Sequence, residues 1–539
     1  MTPVKPDGVT WLGLTLWLVV GAVVLVPLAA VVFLGLSDNH VQVLLDGGVL
    51  EAGRNSLVSA GVSAVLAVAV GTILAILLDH TDLPGRFVLR LFLLSPLLVP
   101  PFVGAIAWLG IFGPSSALNL AWASAFGGPL WNLYGGDGVI FLLTVHSYPI
   151  AYLIVGAALR RIPSDLEQAA RIGGASTWRA MRDVTLPLLR PALLSAFTLT
   201  AVSNLADFGI PSIVGLPERF VTLSTLVYRY IQSGTVDKPL EVVGTIGILL
   251  LIIAIVALVI NARLARRGNE LDDAAAPRTP FALGQARWGV GITAWVLGLA
   301  VTLLPLLALA SQSLLPAPGV PFTWENLTLS SIKRALTAPS TLIGAVNSVG
   351  LAVAAGLICT ILGLAVATVA TRTNARGNRA LGALAMLPQA IPGLVIAVGW
   401  LILAPQIGLF NTRGLILCAY VMSFLALVVQ AVDAPLRSTP TAFEEAARVS
   451  GASRLRSLFD ISWRMSFPAA VTGGVLVMLT AVRELTISVL LLAPGNHTLG
   501  VSIFNLQQAG AYNAASALAL VVTIVGLAGL GLLGRRSRG

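Results

Sequence analysis

The chain has 539 residues, of which 57% are hydrophobic and 10% are charged, and its formal net charge is +10 at pH 7. Charged residues make up about a quarter of an ordinary soluble domain, so this composition excludes a soluble globular protein and favours a chain that lies in a bilayer. The positive charge therefore does not predict nucleic-acid binding; it raises the question of which side of a membrane carries the basic residues.

Twelve apolar runs are long enough to cross the hydrocarbon as helices, for which about 20 residues are needed. Prolines within the third and ninth runs are expected to kink or interrupt them. The first run lacks the small-residue cleavage pattern of a removable signal peptide, so we expect it to remain as a membrane helix. The predicted spans are 11–36, 55–78, 87–113, 138–159, 191–216, 240–262, 287–311, 347–371, 380–404, 414–433, 468–493 and 514–534.

The basic residues are distributed unequally between the two sides of the predicted membrane. With the N-terminus in the cytoplasm, 25 of the 33 lysines and arginines lie on the cytoplasmic side, seven lie on the opposite side, and Arg483 falls within a span. Cytoplasmic loops of membrane proteins carry such an excess. The sequence therefore predicts a multi-pass protein of the cytoplasmic (inner) membrane with both termini in the cytoplasm.

A polar segment occurs twice in this apolar chain. The sequence EQAARIGGASTWRAMRDVTLP begins at Glu167, and EEAARVSGASRLRSLFDISWR begins 277 positions later at Glu444, with nine identical residues in 21. Both copies fall on the predicted cytoplasmic side. The chain thus contains an internal repeat of this polar segment.

The duplication extends beyond these segments. The pair Asn55-Ser56 before the second span matches Asn347-Ser348 before the eighth at an offset of 292. Because the polar segments are only 277 residues apart, the first half has 15 more residues than the second between the Asn-Ser pair and the polar segment. We assign these 15 residues to the external stretch after the third span. Six spans in each half give both halves the same orientation. We predict an all-α polytopic membrane protein of two parallel six-helix repeats, 1–267 and 287–539, joined by a polar cytoplasmic linker, 268–286.

Each copy is predicted to form a helix-turn-helix, over 164–190 and 441–467. Pro163-Ser164 with Glu167, and Pro440-Thr441 with Glu444, predict capping boxes at the helix starts. Gly174 and Gly451 end the first helices, and Ser176 and Ser453 cap the second ones. An amphipathic connection between spans is the alternative, but it gives no reason for the same residues to recur in register. We expect a docking surface formed by Glu167, Gln168, Ala169, Ala170 and Gly174 in the first copy and by Glu444, Glu445, Ala446, Ala447 and Gly451 in the second.

At these residues the chain resembles the membrane-spanning permease subunits of type I ABC importers, whose motif is Glu-Ala-Ala, three residues, Gly, nine residues, and Ile-any-Leu-Pro. The second copy matches at Glu445-Ala446-Ala447, Gly451 and Ile461, and the first at Ala169-Ala170, Gly174 and Leu186-Pro187. Two departures stand out: Gln168 replaces the motif's acid in the first copy, and Trp463-Arg464 replace Leu-Pro in the second. These differences predict that the two copies bind their partner subunits unequally.

The resemblance implies a function and partners. In this family the motif forms a coupling helix that sits in a groove of an ATP-hydrolysing subunit, so two ATP-binding subunits, using ATP and Mg, and an extracytoplasmic substrate-binding protein are implied. The chain itself offers no phosphate loop, because its three lysines, Lys5, Lys238 and Lys333, are followed by Pro, Pro and Arg rather than by Ser or Thr. We therefore predict a transport subunit that is not an enzyme, binds no cofactor and works by alternating access.

Two acids lie at matching positions within predicted spans. Asp207 in the fifth span and Glu484 in the eleventh are 277 residues apart. Because an ionisable group in hydrocarbon is costly unless it faces a cavity or a partner, this pair could line a translocation path for a cation. Structural hydrogen bonding, or an ion pair with Arg483, is the alternative.

The remaining reactive residues form no recognisable site. His146 and Tyr148 are interpreted as packed polar groups of the fourth span, and Asp433 as an interfacial residue. His40, His80 and His497 show no metal-ligand spacing. Cys359 and Cys418 lie in apolar runs, which favours buried thiols over a disulfide or a metal site. We predict no catalytic, metal or nucleic-acid site.

The fused halves, with Ala206-Asp207-Phe208-Gly209-Ile210-Pro211 in the fifth span, most resemble the ferric-iron permeases of this family, so iron(III) is the predicted substrate. Thiamine, aminophosphonate and polyamine permeases are similar and remain alternatives. A secondary transporter driven by an ion gradient is the alternative of a different class, and it leaves the paired cytoplasmic segments unexplained.

Overall fold

The computed structural model describes residues 8–234, 236–268, 282–373 and 376–536, and over these ranges its regular structure is helical, without a strand. The all-α prediction is confirmed. Twelve helices correspond to the twelve predicted runs: α1 Gly8–Gly35, α2 Val49–His80, α3 Pro101–Phe112, α4 Gly136–Arg161, α5 Leu186–Ala206, α6 Pro239–Gly268, α7 Arg287–Ser313, α8 Pro339–Arg372, α9 Gly393–Leu403, α10 Arg413–Ser438, α11 Arg464–Val482 and α12 Tyr512–Arg536.

Shorter helices connect these twelve. The α-helical ones outside the duplicated segments are Val41–Asp46, Arg86–Leu93, Ala117–Phe126, Leu223–Ser233, Ser330–Thr337, Arg376–Met386, Thr486–Leu490 and Leu499–Gln508. Single turns of 3-10 helix lie at Ser95–Leu98, Leu216–Glu218, Gly284–Ala286, Trp324–Asn326 and Leu387–Ala390, and a π-helical turn lies at Pro211–Gly215.

Within the described residues, ten helical segments are long and apolar enough to cross a membrane, or eleven if one bent pair counts as a single span. This bent pair is the ninth predicted run: the helical segments Gly377–Ala390 and Gly393–Leu403 meet at 106°. The twelfth predicted run, 514–534, extends beyond the described side chains, which reach Gly526 of α12.

The third predicted span, 87–113, is wrong in its bounds. The helix Arg86–Leu93 ends before a 3-10 turn at Ser95–Leu98, and α3 begins only at Pro101. The helical segment of spanning length is instead Pro101–Phe126. Proline has no backbone N–H and cannot continue the helical ladder, so Pro96, Pro100 and Pro101 move the start of the span toward the C-terminus. The predicted interruption by proline is confirmed in both runs.

The chain divides into two compact units that both draw on distant parts of the sequence. Unit I comprises Met1–Asp46, Val227–Ile252 and Thr337–Ser502; unit II comprises Gly47–Leu226, Ile253–Leu336 and Ile503–Gly539. In unit I, α8 packs against α10 and α11, and α1 lies along α9; in unit II, α2 packs against α4 and α5, and α7 against α3 and α12. The first helix of each predicted repeat thus packs in the unit built mainly from the other repeat. The repeat boundaries themselves stay a prediction.

Small residues allow close helix packing in each unit. In unit I, a Cβ added to Gly35 of α1 would lie 2.6 Å from the carbonyl carbon of Gly244 in α6. In unit II, a Cβ on Gly71 of α2 would lie 2.6 Å from the amide nitrogen of Tyr152 in α4. Membrane helices associate through such small-residue contacts because lipid provides no hydrophobic driving force between them.

The two Asn-Ser pairs that mark the repeat make matching contacts. In each unit the asparagine side chain donates to a backbone carbonyl in the segment that follows α5 or α11, and the serine hydroxyl accepts from a backbone amide two residues later in that segment. The duplication is therefore also present in the buried hydrogen bonds. The bonds are Asn55 to Val221 (3.0 Å) and Leu223 to Ser56 (2.8 Å) in unit II, and Asn347 to His497 (2.9 Å) and Leu499 to Ser348 (2.8 Å) in unit I.

Candidate functional site: the paired helix-turn-helix segments

Both copies of the duplicated segment fold as predicted into a helix, a turn and a second helix. The first helices are Ser164–Ile172 and Ala442–Val449, and the second helices begin at Thr177 and Arg454. Each second helix passes through a π-helical turn, Met181–Thr185 or Leu458–Trp463, before it continues into α5 or α11. The segments are thus joined directly to long apolar helices.

Gly174 and Gly451 end the first helices in the way that the sequence predicts. Their φ angles are +87° and +92°, in the left-handed region that an L side chain rarely adopts. In the first copy the amides of Gly174 and Ala175 donate to the carbonyls of Arg171 and Ala170, both at 3.0 Å. The second copy has the same two bonds, also at 3.0 Å. Both turns are Schellman motifs, which satisfy carbonyls that the helix end leaves unpaired.

The second helices have the predicted serine caps. The hydroxyl of Ser176 accepts from the amide of Arg179 at 3.3 Å, and that of Ser453 accepts from the amide of Arg456 at 3.2 Å. The capping serine therefore fixes where each second helix starts.

The predicted capping boxes at the first helices are wrong. Pro163 occupies the cap position of the first copy and has no hydroxyl, while the Ser164 hydroxyl bonds to Asp165 at 3.3 Å. Thr441 has helical backbone angles, φ −64° and ψ −21°, rather than the extended conformation of a cap, and its side chain accepts no cap bond. The carboxylates of Glu167 and Glu444 are consequently not used at the helix start.

These two carboxylates instead point into the protein and form what we call the inner anchors. Glu167 accepts a hydrogen bond from the Thr185 hydroxyl and lies 3.0 Å from Nε2 of His80 at the end of α2. Glu444 accepts from the Ser462 hydroxyl and lies 3.3 Å from Nε of Arg372 at the end of α8. The two carboxylate side chains are only 16% and 13% exposed.

Sequence reasoning missed the partners of both anchors, although two spacings carried the signal. The hydroxyl partner follows the glutamate by 18 residues in both copies, and His80 and Arg372 are related by the same offset of 292 as the Asn-Ser pairs. Neither spacing suggests a contact until the fold brings the end of α2 or α8 to the segment.

The outward faces of the two segments have the same pattern of exposure, although Gln168 in the first copy stands where the second has Glu445. Gln168, Ala169, Glu445 and Ala446 are exposed, and Ala170 and Ala447 are half-buried. At the end of each first helix stands an aliphatic side chain that is almost fully exposed, Ile172 at 88% and Val449 at 89%. A single exposed apolar residue is common, but here it recurs at the equivalent position of both copies, which indicates a repeated surface.

Asp207 and Glu484 also have matching surroundings. Asp207 follows the end of α5 and accepts from the Ile210 amide at 2.8 Å. Glu484 follows α11 and accepts from the Ile487 amide at 2.7 Å and from the Ser488 amide at 3.1 Å. These bonds match the structural alternative for the pair, and both residues remain half-buried rather than fully enclosed. A role in the translocation path stays a prediction.

The other residues singled out in the sequence lie in packed positions. The Tyr148 hydroxyl donates to the carbonyl of Leu93 at 2.5 Å, as expected of a packed polar group. His146 lines an internal cavity of unit II beside Trp108 and Thr302. Cys359 is buried in α8.

His40 belongs to a charge network that the sequence did not reveal. Its Nε2 lies 3.0 Å from Glu241, and Asp38 is close enough that these three groups together could hold a metal ion. The Lys238 ammonium, however, lies 3.3 Å from Glu241 and 3.6 Å from Asp38. The Asn39 amide and this ammonium lower the pKa of Asp38, and the bond to Glu241 raises the pKa of Lys238. The lysine supplies the positive charge that the carboxylates need, so we interpret the group as an ion-pair network.

Three known permease proteins are similar to this chain over most of its length. The ferric transport system permease protein FbpB of Actinobacillus pleuropneumoniae is 23% identical over 519 residues, which cover 91% of this chain and 72% of that protein. The Fe(3+)-transport system permease protein FbpB 2 of Haemophilus influenzae is 22% identical over 494 residues, 90% of each chain. A probable ABC transporter permease protein, y4fN of Sinorhizobium fredii, is 26% identical over 451 residues, 80% of this chain and 78% of that protein.

A family profile matches the chain twice, over residues 67–269 and 359–536. Each match contains one helix-turn-helix segment, and together they cover more than half of the sequence. The family is described as the inner membrane component of binding-protein-dependent transport systems. The chain therefore belongs to this family, and it is a multi-pass permease of the inner membrane with both permease repeats fused in one polypeptide.

Proposed function

We propose that the two helix-turn-helix segments are coupling segments, each docking one ATP-binding subunit at the cytoplasmic face, with both termini on that side. Closure of the ATP-binding pair would move the segments and so open the membrane path alternately outward and inward, with substrate delivered by an extracytoplasmic binding protein. Hydrolysis of ATP with Mg belongs to the partner subunits.

The observation that carries this proposal is the duplicated outward surface. Identical Schellman turns, serine caps and exposed alanines recur in both copies, and each ends in an aliphatic side chain nearly 90% exposed. A connection between spans needs no such surface. Two copies of one partner subunit would require it twice, because each copy must fit the same groove.

The docking role is tested by placing a charge on this surface. Ile172→Glu and Val449→Glu should each weaken co-purification with the ATP-binding subunit at least tenfold, because a carboxylate cannot enter an apolar groove without losing its hydration. Leu329→Glu is the matched control, since Leu329 is 65% exposed and falls on the predicted external side. Full association of the double variant Ile172→Glu/Val449→Glu would refute the docking role.

We further propose that the substrate is iron(III). The support comes from relatives that match most of the chain and are named as ferric transport permeases. Uptake of radioactive iron(III) by vesicles holding the complete importer and its binding protein should exceed uptake of thiamine, an aminophosphonate or a polyamine at least tenfold. A preference for one of these three would assign the substrate to it instead.

Asp207 and Glu484 are proposed to line the path for this cation. Asp207→Asn and Glu484→Gln keep an acceptor oxygen for the amide bonds of Ile210 and Ile487 while removing the charge. Transport should fall while the ATPase activity of the complex is retained. Unchanged transport in both variants would leave the two acids with a structural role alone.

A further inference from the structure

We propose that Glu167 and Glu444 are positioning residues that fasten the inward face of each coupling segment to a membrane helix, and that the second of these inner anchors is the stronger. This inference rests on the proposed docking of ATP-binding subunits to the outward face. The inward face has a different function in this proposal: it transmits the movement of each segment to α2 or α8.

The anchors bind each segment at two points. The glutamate lies in the first helix of the segment, and its hydroxyl partner, Thr185 or Ser462, lies 18 residues later in the π-helical turn. One carboxylate therefore closes the helix-turn-helix on itself. The backbone bonds of the Schellman turn join the two helices at one end, and this contact joins them at a second point, which limits their movement relative to each other.

The same carboxylate joins the segment to a membrane helix. His80 is the last residue of α2 and Arg372 the last residue of α8, and their side chains are only 5% exposed. A hydrogen bond or ion pair to a charged group is strong in such surroundings, where water competes little. A displacement of the coupling segment would thereby act on α2 or α8 as well as on α5 or α11, into which the segment continues.

The second anchor has more contacts than the first. Besides Glu444, Arg372 reaches the carbonyls of Leu436 and Thr439 with Nη2, at 2.5 and 2.7 Å, so that it also holds the end of α10. His80 offers Nε2 to Glu167, and its buried Nδ1 has no hydrogen-bond partner among the described residues. The buried Nε of Arg372 likewise makes no hydrogen bond there, so its contact with Glu444 is an ion pair. Arginine is moreover always charged and has five donors, whereas an imidazole has at most two.

The inference is tested by double-mutant cycles on the complete importer with its binding protein in vesicles. The variants are Glu444→Gln, Arg372→Gln and their combination, and Glu167→Gln, His80→Gln and theirs. Two quantities are measured: co-purification of the ATP-binding subunit, and substrate transported per ATP hydrolysed.

Association should stay within about twofold, because the outward surface is unchanged. Transport per ATP should fall about tenfold or more in either single variant of the second anchor, because a buried ion pair loses one of its charged partners, and about threefold in the first. Each double variant should be no worse than its poorer single variant, since the two residues act through one contact. Unlike His80→Gln, His80→Arg should keep transport per ATP at the level of the unmodified protein or raise it, because arginine is the partner of the glutamate in the second copy.

Three results would overturn the inference: unchanged transport per ATP with intact association, additive losses in the double variants, or a larger effect at the first anchor. None of these touches the docking proposal, which fails only if Ile172→Glu and Val449→Glu leave association intact. If Arg372→Gln does not fold, Ser462→Ala provides a second test, because it removes the hydroxyl group that bonds to the Glu444 carboxylate. Transport per ATP should then fall about threefold. Ser450→Ala is the control and should not lower transport per ATP, because the Ser450 hydroxyl bonds to Ala446 of its own helix. Equal coupling in Ser462→Ala and Ser450→Ala would overturn the second anchor.

Discussion

The two helix-turn-helix segments have equally exposed outward faces, which differ in charge at Gln168 and Glu445, but they have different partners on their inward faces. Outward, Ile172 and Val449 are exposed to the same extent, and both turns have the same bonds. Inward, the same glutamate meets His80 in one copy and Arg372 in the other. The surface that we propose to fit a partner subunit thus has the same exposure in both copies, whereas the inward contacts, which each half makes with its own helices, differ.

The membrane interior shows the same divergence. In unit II, Asn204 of α5 donates to Ser63 and shares a hydrogen bond with Ser147, so that a polar group joins three helices. The corresponding positions of the second repeat, at offsets of 277 and 292, are Ala481, Ala355 and Phe424. At these positions the first repeat has buried hydrogen bonds between helices, and the second has side chains that cannot form them.

The largest expected difference between the halves concerns Asp79. Its side chain is 5% exposed and pairs with Arg90 and with Arg160. Asp79→Asn should lower the free energy of unfolding by about 2 kcal/mol, because two guanidinium groups lose their counter-charge at a buried site. Thermal unfolding of the purified protein in detergent, followed by intrinsic fluorescence, measures this loss.

The second repeat supplies the control. Arg437 corresponds to Arg160 at the offset of 277, but it pairs with Asp433 on its own helix, and the two side chains are 70% and 45% exposed. Asp433→Asn should cost less than about 1 kcal/mol, as exposed ion pairs do. Equal losses for Asp79→Asn and Asp433→Asn would contradict the unequal burial on which the comparison depends.

A smaller effect is expected from Asn204→Ala, which gives the first repeat the residue of the second. Hydrogen bonds between membrane helices contribute on average about 0.6 kcal/mol each, so losing the bonds to Ser63 and Ser147 should cost about 1 kcal/mol in the same assay. Thr198→Val is the control, because that hydroxyl bonds only within its own helix, to Leu194. A loss no larger than that of Thr198→Val would show that the polar contact contributes nothing to stability.

The smallest effect, and one that should be equal in both halves, is expected from Gly174→Ala and Gly451→Ala. A Cβ at either site meets no atom within 4 Å, so the only cost is the left-handed backbone, about 1–2 kcal/mol. The lower entropy of the unfolded chain offsets about 0.4–1 kcal/mol of this. Hydrogen exchange of the segment amides should therefore speed up modestly and to the same extent in both copies.

Gly173→Ser is the control for this pair. Gly173 has a φ of −73°, which any residue adopts, and the second copy has Ser450 at the equivalent position. The exchange rates should not change in this variant. Unequal acceleration in Gly174→Ala and Gly451→Ala would show that the two turns are not equivalent.

Much of the candidate site could be predicted from the sequence, because its determinants are local. A glycine that must adopt a positive φ and a serine that caps the next helix act within a few residues, and these predictions are confirmed at Gly174, Gly451, Ser176 and Ser453. The prediction of capping boxes at Glu167 and Glu444 was wrong because the partners of these carboxylates are not local. A glutamate three residues into a helix can cap it, but a tertiary partner such as Thr185 or Arg372 competes for the same carboxylate and, in this fold, prevails.

The sequence alone determined that the chain spans a membrane, that it is duplicated and that its polar segments recur, because hydrophobicity, charge asymmetry and short-range turn chemistry are properties of neighbouring residues. Only the tertiary structure decided which helices share a unit, where the third span begins, and which way the repeated carboxylates of Glu167 and Glu444 point. Those outcomes depend on contacts between residues far apart in the chain, such as Glu444 with Arg372, and no local pattern encodes the distance between them.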